Sequence, residues 1–179
     1  MKRIVVFLLM SVVAVFAASG HAVQRNVGSS NVVDDNSSGL GLNLKAGQVS
    51  PQGLLKLLSG KNLGRIDDEG DLFVTDGTYK GYVFVKSDKK IVRIIAWWKG
   101  SLNDGEISAI RFANEFNYGR VLGKATYSKN DNGEDVMNLE YEFVYNAGVN
   151  AVFFNETLNW FWSLCSTYAE MIKEKHLFE

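Results

Sequence analysis

Eight consecutive residues, Ile91 to Trp98, include one polar side chain, Arg93. Successive side chains of a strand point to opposite faces, so this run presents apolar groups on both and belongs in the middle of a sheet. The rest of the chain must supply its neighbours. Tyr79 to Val85 precedes it across Ser87 to Lys89 and reads as the other arm of a hairpin. Upstream, Leu63 to Ile66 and Leu72 to Thr75 flank the turn Asp67, Asp68, Glu69, Gly70. Downstream, Val121 to Ser128 and Val136 to Tyr145 flank Asn132-Gly133, a dipeptide favoured in tight hairpin turns. In the last strand Met137, Leu139, Tyr141, Phe143 and Tyr145 alternate with Asn138, Glu140, Glu142 and Val144, which predicts one core face and one wet face.

Three helices punctuate these strands. Ser50 is a good N-cap, Pro51 fits the first helical position, and Leu54, Leu55, Leu57 and Leu58 follow before Gly60 stops the turn. Asn103 with Glu106 reads as a capping box for a second helix, whose broad face carries Ile107, Ile110, Phe112, Ala113 and Phe116, with Gly119 as its end. A long helix from about Asn150 to Lys175 closes the chain. The order α-β-β-β-β-α-β-β-α has connections too short for parallel crossovers outside the second helix. It predicts an α+β fold of mainly antiparallel sheet with packed helices.

The ends have a different character. Lys2 and Arg3, the apolar run Ile4 to Phe16 and the small residues through Ala22 have the order of a cleavable secretory signal peptide over 1–22. The run is shorter than the ~20 residues of a membrane span, so the only membrane contact expected is through this segment before cleavage. The mature chain is expected in the periplasm of a Gram-negative cell, or secreted. Residues 23–49 are rich in Asn, Ser, Gly and Asp without period and read as a disordered linker, leaving 50–179 as one domain. Losing Lys2 and Arg3 leaves 17 basic residues against 20 acidic ones, a net charge of −3 that disfavours nucleic acid as a partner. Lys86, Lys89, Lys90, Arg93 and Lys99 near Trp97 and Trp98 could form a stacking platform with a basic rim, but a solvated hairpin beside a core strand is the plainer reading.

Few residues could carry chemistry. With one cysteine, Cys165, no intramolecular disulfide forms, and its place in an apolar stripe suits an inert thiol. His21 leaves with the signal segment and His176 stands in an expected fraying end, so triad and zinc chemistry lack their usual residues. Glu140 and Glu142 point to one strand face about 6.8 Å apart along the backbone, a separation open to a carboxylate-dependent hydrolase. Charged residues on a wet strand face are the plainer explanation. Asp67, Asp68, Glu69 and Asp71, and likewise Asp131, Glu134 and Asp135, lack calcium-loop spacing and suit turns. Asn114 and Asn117 could be a polar recognition pair or residues tolerant of a helix end. Asn155-Glu156-Thr157 fits a glycosylation sequon but lies within a helix.

From Pro51 to Ile172 the chain resembles the YbjN family, described as bacterial sensory transduction regulators with a type III secretion chaperone-like fold. The resemblance rests on the Leu-rich helix ending at Gly60, the acidic turn Asp67 to Asp71, the strand Ile91 to Trp98, Asn114-Glu115-Phe116-Asn117, the strand Met137 to Phe143, and Gly148-Val149 before the last helix. It implies a non-enzymatic domain that binds other proteins, with a homodimer among its states, and no cofactor. A signal peptide departs from the cytoplasmic role that the family's description suggests.

The last helix suggests where a partner is engaged. At 100° per residue, Phe154, Leu158, Phe161, Cys165, Tyr168 and Ile172 form a band that one sheet face can cover. Phe153, Leu164, Met171 and Trp160 lie to one side and Trp162 to the other, an apolar arc of roughly 200°. Either the first helix covers the surplus through Leu54 and Leu58, or part of it forms a partner interface in which Trp160, Phe153, Leu164 and Met171 take part.

Overall fold

A computed structural model describes residues 42–179. The predicted signal peptide, and the predicted linker up to residue 41, lie outside the described residues. Strand β1 (Asn43–Leu44) opens the fold and is followed by a single 3-10 turn at Ala46–Gln48. Then come α1 (Pro51–Leu57), β2 (Leu63–Ile66), β3 (Leu72–Thr75), β4 (Lys80–Lys86) and β5 (Ile91–Gly100). The chain continues through α2 (Gly105–Asn117), β6 (Lys124–Lys129), β7 (Asp135–Val144), β8 (Val149–Asn150) and α3 (Ala151–Glu174).

Six strands form one antiparallel sheet in the order β2-β3-β4-β5-β7-β6. The all-apolar run is central, as its pattern requires: β5 pairs with β4 on one edge and along its whole length with β7 on the other, from Ile91 opposite Val144 to Gly100 opposite Asp135. Its two faces differ. Val92, Ile94, Ala96 and Trp98 are buried, Trp98 against the Tyr168 ring of α3. On the other face Trp97 is 43% exposed and stacks on Tyr82 of the neighbouring strand. That face is lined by aromatic neighbours rather than by a helix. The two tryptophans therefore point to opposite sides of the sheet and do not form one stacking platform.

The helices share the first face. Leu54 and Leu57 of α1 are fully buried, and the rings of Phe112 and Phe116 on α2 surround Tyr168 on α3. The Trp162 ring of α3 reaches the sheet at Gly81. The fold is thus two layers, with one sheet face capped and the other open.

Four sequence expectations change. Regular structure begins before Ser50: β1 pairs with β8, Leu44 opposite Val149, and Val49 is buried. The linker expectation fails here because two paired residues and one buried side chain leave no periodicity to detect. Gly148 explains itself by this pairing, since at φ 96° its α-carbon lies against the Leu44 carbonyl, where a side chain would collide. At α2 the N-cap is Asp104 without a side-chain cap, while the Asn103 amide donates to the His176 carbonyl. That contact, the Leu102–Phe178 bridge and buried Leu177 dock the C-terminal tail that was expected to fray. Finally, Asn132-Gly133 belongs to a five-residue loop, 130–134, in which the Asn130 side-chain oxygen accepts from the Asn132 and Glu134 amides.

Candidate functional site

The arc of α3 resolves into three zones. The central band is core: Phe154, Leu158, Phe161, Cys165 and Tyr168 are fully buried and Ile172 nearly so. Burial pushes the Cys165 thiol pKa far above its usual range, the environment of an inert thiol.

One shoulder of the helix is sealed by α1. Trp162 is buried and its indole N–H donates to the Asn62 side-chain oxygen at 2.8 Å. The Asn62 amide donates to the Asn155 carbonyl and to the side-chain oxygens of Asn155 and Asn159. Asn155 in turn donates to the carbonyls of Leu57 and Ala151, and accepts from the Ser59 amide. The end of α1 is pinned to α3 through groups that would otherwise be buried without partners. Asn155 spends its amide here, so its sequon is structural.

Among the described residues a helix reaches the other shoulder only toward the C-terminal end of α3, where Phe116 of α2 packs on Tyr168 and Glu115 pairs with Lys175. Phe153, Trp160, Leu164 and Met171 fall within about 40° of helix surface at 100° per residue, a straight stripe along α3. Phe153 is 43% exposed and the other three are partly buried. Beneath the stripe, Phe153 packs edge-on against Phe143, and Trp160 edge-on against Tyr141 with ring centres 5.2 Å apart. Leu164 touches Gly123, and Met171 meets the Arg120 guanidinium. The loop between α2 and β6 extends the patch with exposed Tyr118, Val121 and Leu122.

This shoulder borders an open strand edge. Strand β6 pairs with β7 only as far as Lys124 opposite Glu140. Among the described residues no strand pairs with 141–144 on that side. Tyr145 N–H donates toward β5, so by strand alternation the backbone N–H groups of Glu142 and Val144 point outward. An apolar stripe next to outward backbone donors can receive an extended segment of another protein.

The remaining candidates resolve into structural roles. Glu140 and Glu142 do share the open sheet face, but both ion-pair with Arg93, at 3.4 and 2.6 Å, and Glu142 also with Lys86. The Arg93 hydrogen bond, with help from Lys86, holds the Glu142 carboxyl below its ordinary pKa, opposite to what a general acid needs. In the acidic turn, one Asp67 oxygen accepts the Glu69 and Asp71 amides. Among the described residues no group of three or more His, Cys, Asp and Glu side chains converges as metal ligands. Asn117 donates to the Ala125 carbonyl and accepts its N–H, replacing a neighbouring strand along β6. Sequence reasoning missed that role because it joins residues brought together by the turn at Gly119. It also missed Asn62, which carries no periodic signal.

Comparison with known proteins places this geometry in a family. No curated protein matches the chain in sequence. Among solved structures, the crystal structure of YbjN, a putative transcription regulator from E. coli, matches with a TM-score of 0.52. At 10% identity, over 61% of this chain and 80% of that one, the likeness is one of fold. A family model described as "Putative bacterial sensory transduction regulator" matches residues 51–174, and on that match the chain belongs to the YbjN family.

Proposed function

We propose that this chain is an exported, non-catalytic, regulatory or chaperone-like binding domain that engages a protein partner through the open shoulder of α3. The observation that carries the reading is the contrast on one helix: α1 and a polar network seal the Trp162 side, while Phe153, Trp160, Leu164 and Met171 remain beside the unpaired end of β7. A partner segment would lay apolar side chains on the stripe and its backbone along 141–144. A second copy of the chain is the first partner to test. Membership in a family described as regulators supports binding over catalysis. Export rests on the N-terminal sequence, with its basic start, apolar run and small residues before Val23.

Trp160→Glu tests the surface. The fold should persist by circular dichroism, while self-association in sedimentation, or retention of a crosslinked partner, weakens about tenfold or more. Phe153→Glu, at a more exposed position, should act in the same direction and guards against a folding defect at Trp160. Unchanged association in both variants would sink the proposal. N-terminal sequencing tests export: a start near Val23 in the periplasmic fraction is expected, and an intact Met1 in the membrane pellet would overturn it.

A further inference from the structure

The sheet face turned away from the helices carries a second depression with different chemistry. Its floor is made of Tyr82, Phe84 and Trp97. Tyr82 and Phe84 stand two apart on β4, and Tyr82 lies opposite Ile95 of β5, so all three rings emerge on one face. They stand parallel and offset, as a short ladder: the ring centres of Tyr82 and Trp97 are 5.4 Å apart at 20°, and those of Tyr82 and Phe84 6.0 Å apart at 14°. The β2–β3 turn rises beside this floor and adds Asp67, Asp68, Glu69 and Asp71, with Arg65 at the end. The depression is open to solvent and holds about 490 Å³.

The acidic residues alone would be turn chemistry, and Asp67 does hold the turn. The floor changes what they can do. The π-faces of aromatic rings are electron-rich and attract cations, and a rim of four carboxylates against one guanidinium adds to that attraction. A ladder of parallel rings favours a flat cation that can extend it: guanidinium stacks on ring faces while its edge donates paired hydrogen bonds to carboxylates, whereas an ammonium is compact and strongly hydrated. The protein makes this pairing itself at the end of the same row. Arg65 sits 5.2 Å over the Phe73 ring, and Phe73 packs edge-on against Tyr82.

We propose that this depression binds an arginine side chain presented by another protein, its guanidinium stacked parallel to the ring ladder of Tyr82 and Trp97 and its edge facing Asp68 and Glu69. The site is on the opposite face from the α3 shoulder, so the domain has two docking surfaces with separate chemistries, one apolar and one cation-selective.

The test is fluorescence anisotropy of a labelled Gly/Ser peptide carrying two arginines, against matched peptides with lysine or with citrulline, titrated with the purified full chain. The arginine peptide should bind, the lysine peptide about fivefold more weakly, and the neutral citrulline peptide not measurably. Trp97→Ala should weaken arginine binding about fivefold or more. Asp68→Asn combined with Glu69→Gln should weaken it and flatten its salt dependence. Trp160→Glu should leave it unchanged, which separates this site from the α3 shoulder. Absence of arginine-peptide binding, equal affinity for lysine or citrulline, or full affinity in the Trp97 variant would each overturn the proposal. Should Trp97→Ala fail to fold, the Asp68/Glu69 variant, altered at two exposed side chains, decides in its place.

Discussion

The two shoulders of α3 carry similar side chains and have different fates. Trp162 and Trp160 stand two residues apart on one helix; the first is buried against Gly81 of β4 with its N–H satisfied by Asn62 in the loop after α1, and the second rests on Tyr141 at the margin of the sheet. Apolarity alone did not decide between core and surface. What decided was whether a second element reached that side of the helix with groups able to satisfy the polar atoms it would bury. Asn62 and Asn155 do this on the Trp162 side. The other shoulder meets the sheet margin and the loop after α2, and α2 itself reaches it only near the C-terminal end of α3.

The largest test of that contrast compares the two tryptophans directly. Trp162→Ala should cost about 3–5 kcal/mol in urea denaturation, combining a core cavity with an abandoned hydrogen bond. Trp160→Ala should cost about 1 kcal/mol, mainly its edge-on contact with Tyr141. Equal costs would make the open shoulder part of the core and remove it as a docking surface.

The polar seal itself is the next target. Asn155→Ala strips partners from the Leu57 carbonyl and the Ser59 amide and removes one of three acceptors from the Asn62 amide, and should destabilise by about 3 kcal/mol. Hydrogen exchange sharpens the comparison: amides of α1 should open well before those of β5. If α1 stays protected, packing of Leu54 and Leu57 holds it in place and the network is secondary.

The smallest effect is electrostatic and belongs to the open sheet face. The Glu142 carboxyl, hydrogen-bonded to Arg93, titrates below its unfolded value of about 4.3. A depressed acid stabilises above the unfolded pKa, and that contribution disappears as pH falls through the folded one. Comparing urea midpoints at neutral pH with those below about pH 4 should show Arg93→Gln destabilised at the higher pH, with the gap closing at the lower. Because Glu142 is 39% exposed, the difference should stay under about 1 kcal/mol. A gap independent of pH would mean that Arg93 acts by packing rather than by charge.

Much of the architecture was legible because it is periodic. The β2 and β3 bounds, the central place of β5, the Ser50 cap with Pro51 after it, and the α3 core band all follow from alternation or from helical spacing of apolar residues. Non-periodic features were not legible. Strand β1 was hidden in a segment of disordered composition because pairing with β8 depends on backbone groups that every residue has. Asn103 and Glu106 had the right types for a capping box, and the docked C-terminal tail claimed Asn103 instead. The candidate site divided along the same line. Phe153, Trp160, Leu164 and Met171 could be named from α3 alone, while the open edge at 141–144 appeared only with β6 in place.

By itself the sequence determined which residues are apolar, at what period, and therefore the α+β class and the core band of α3, since these depend on local geometry that any copy of the segment shares. Only the tertiary structure decided which shoulder of α3 is sealed, that Glu140 and Glu142 share Arg93, and that an acidic turn stands beside three aromatic rings. Each of these joins residues far apart in the chain, and their proximity is set by strand register and helix docking rather than by spacing along the chain.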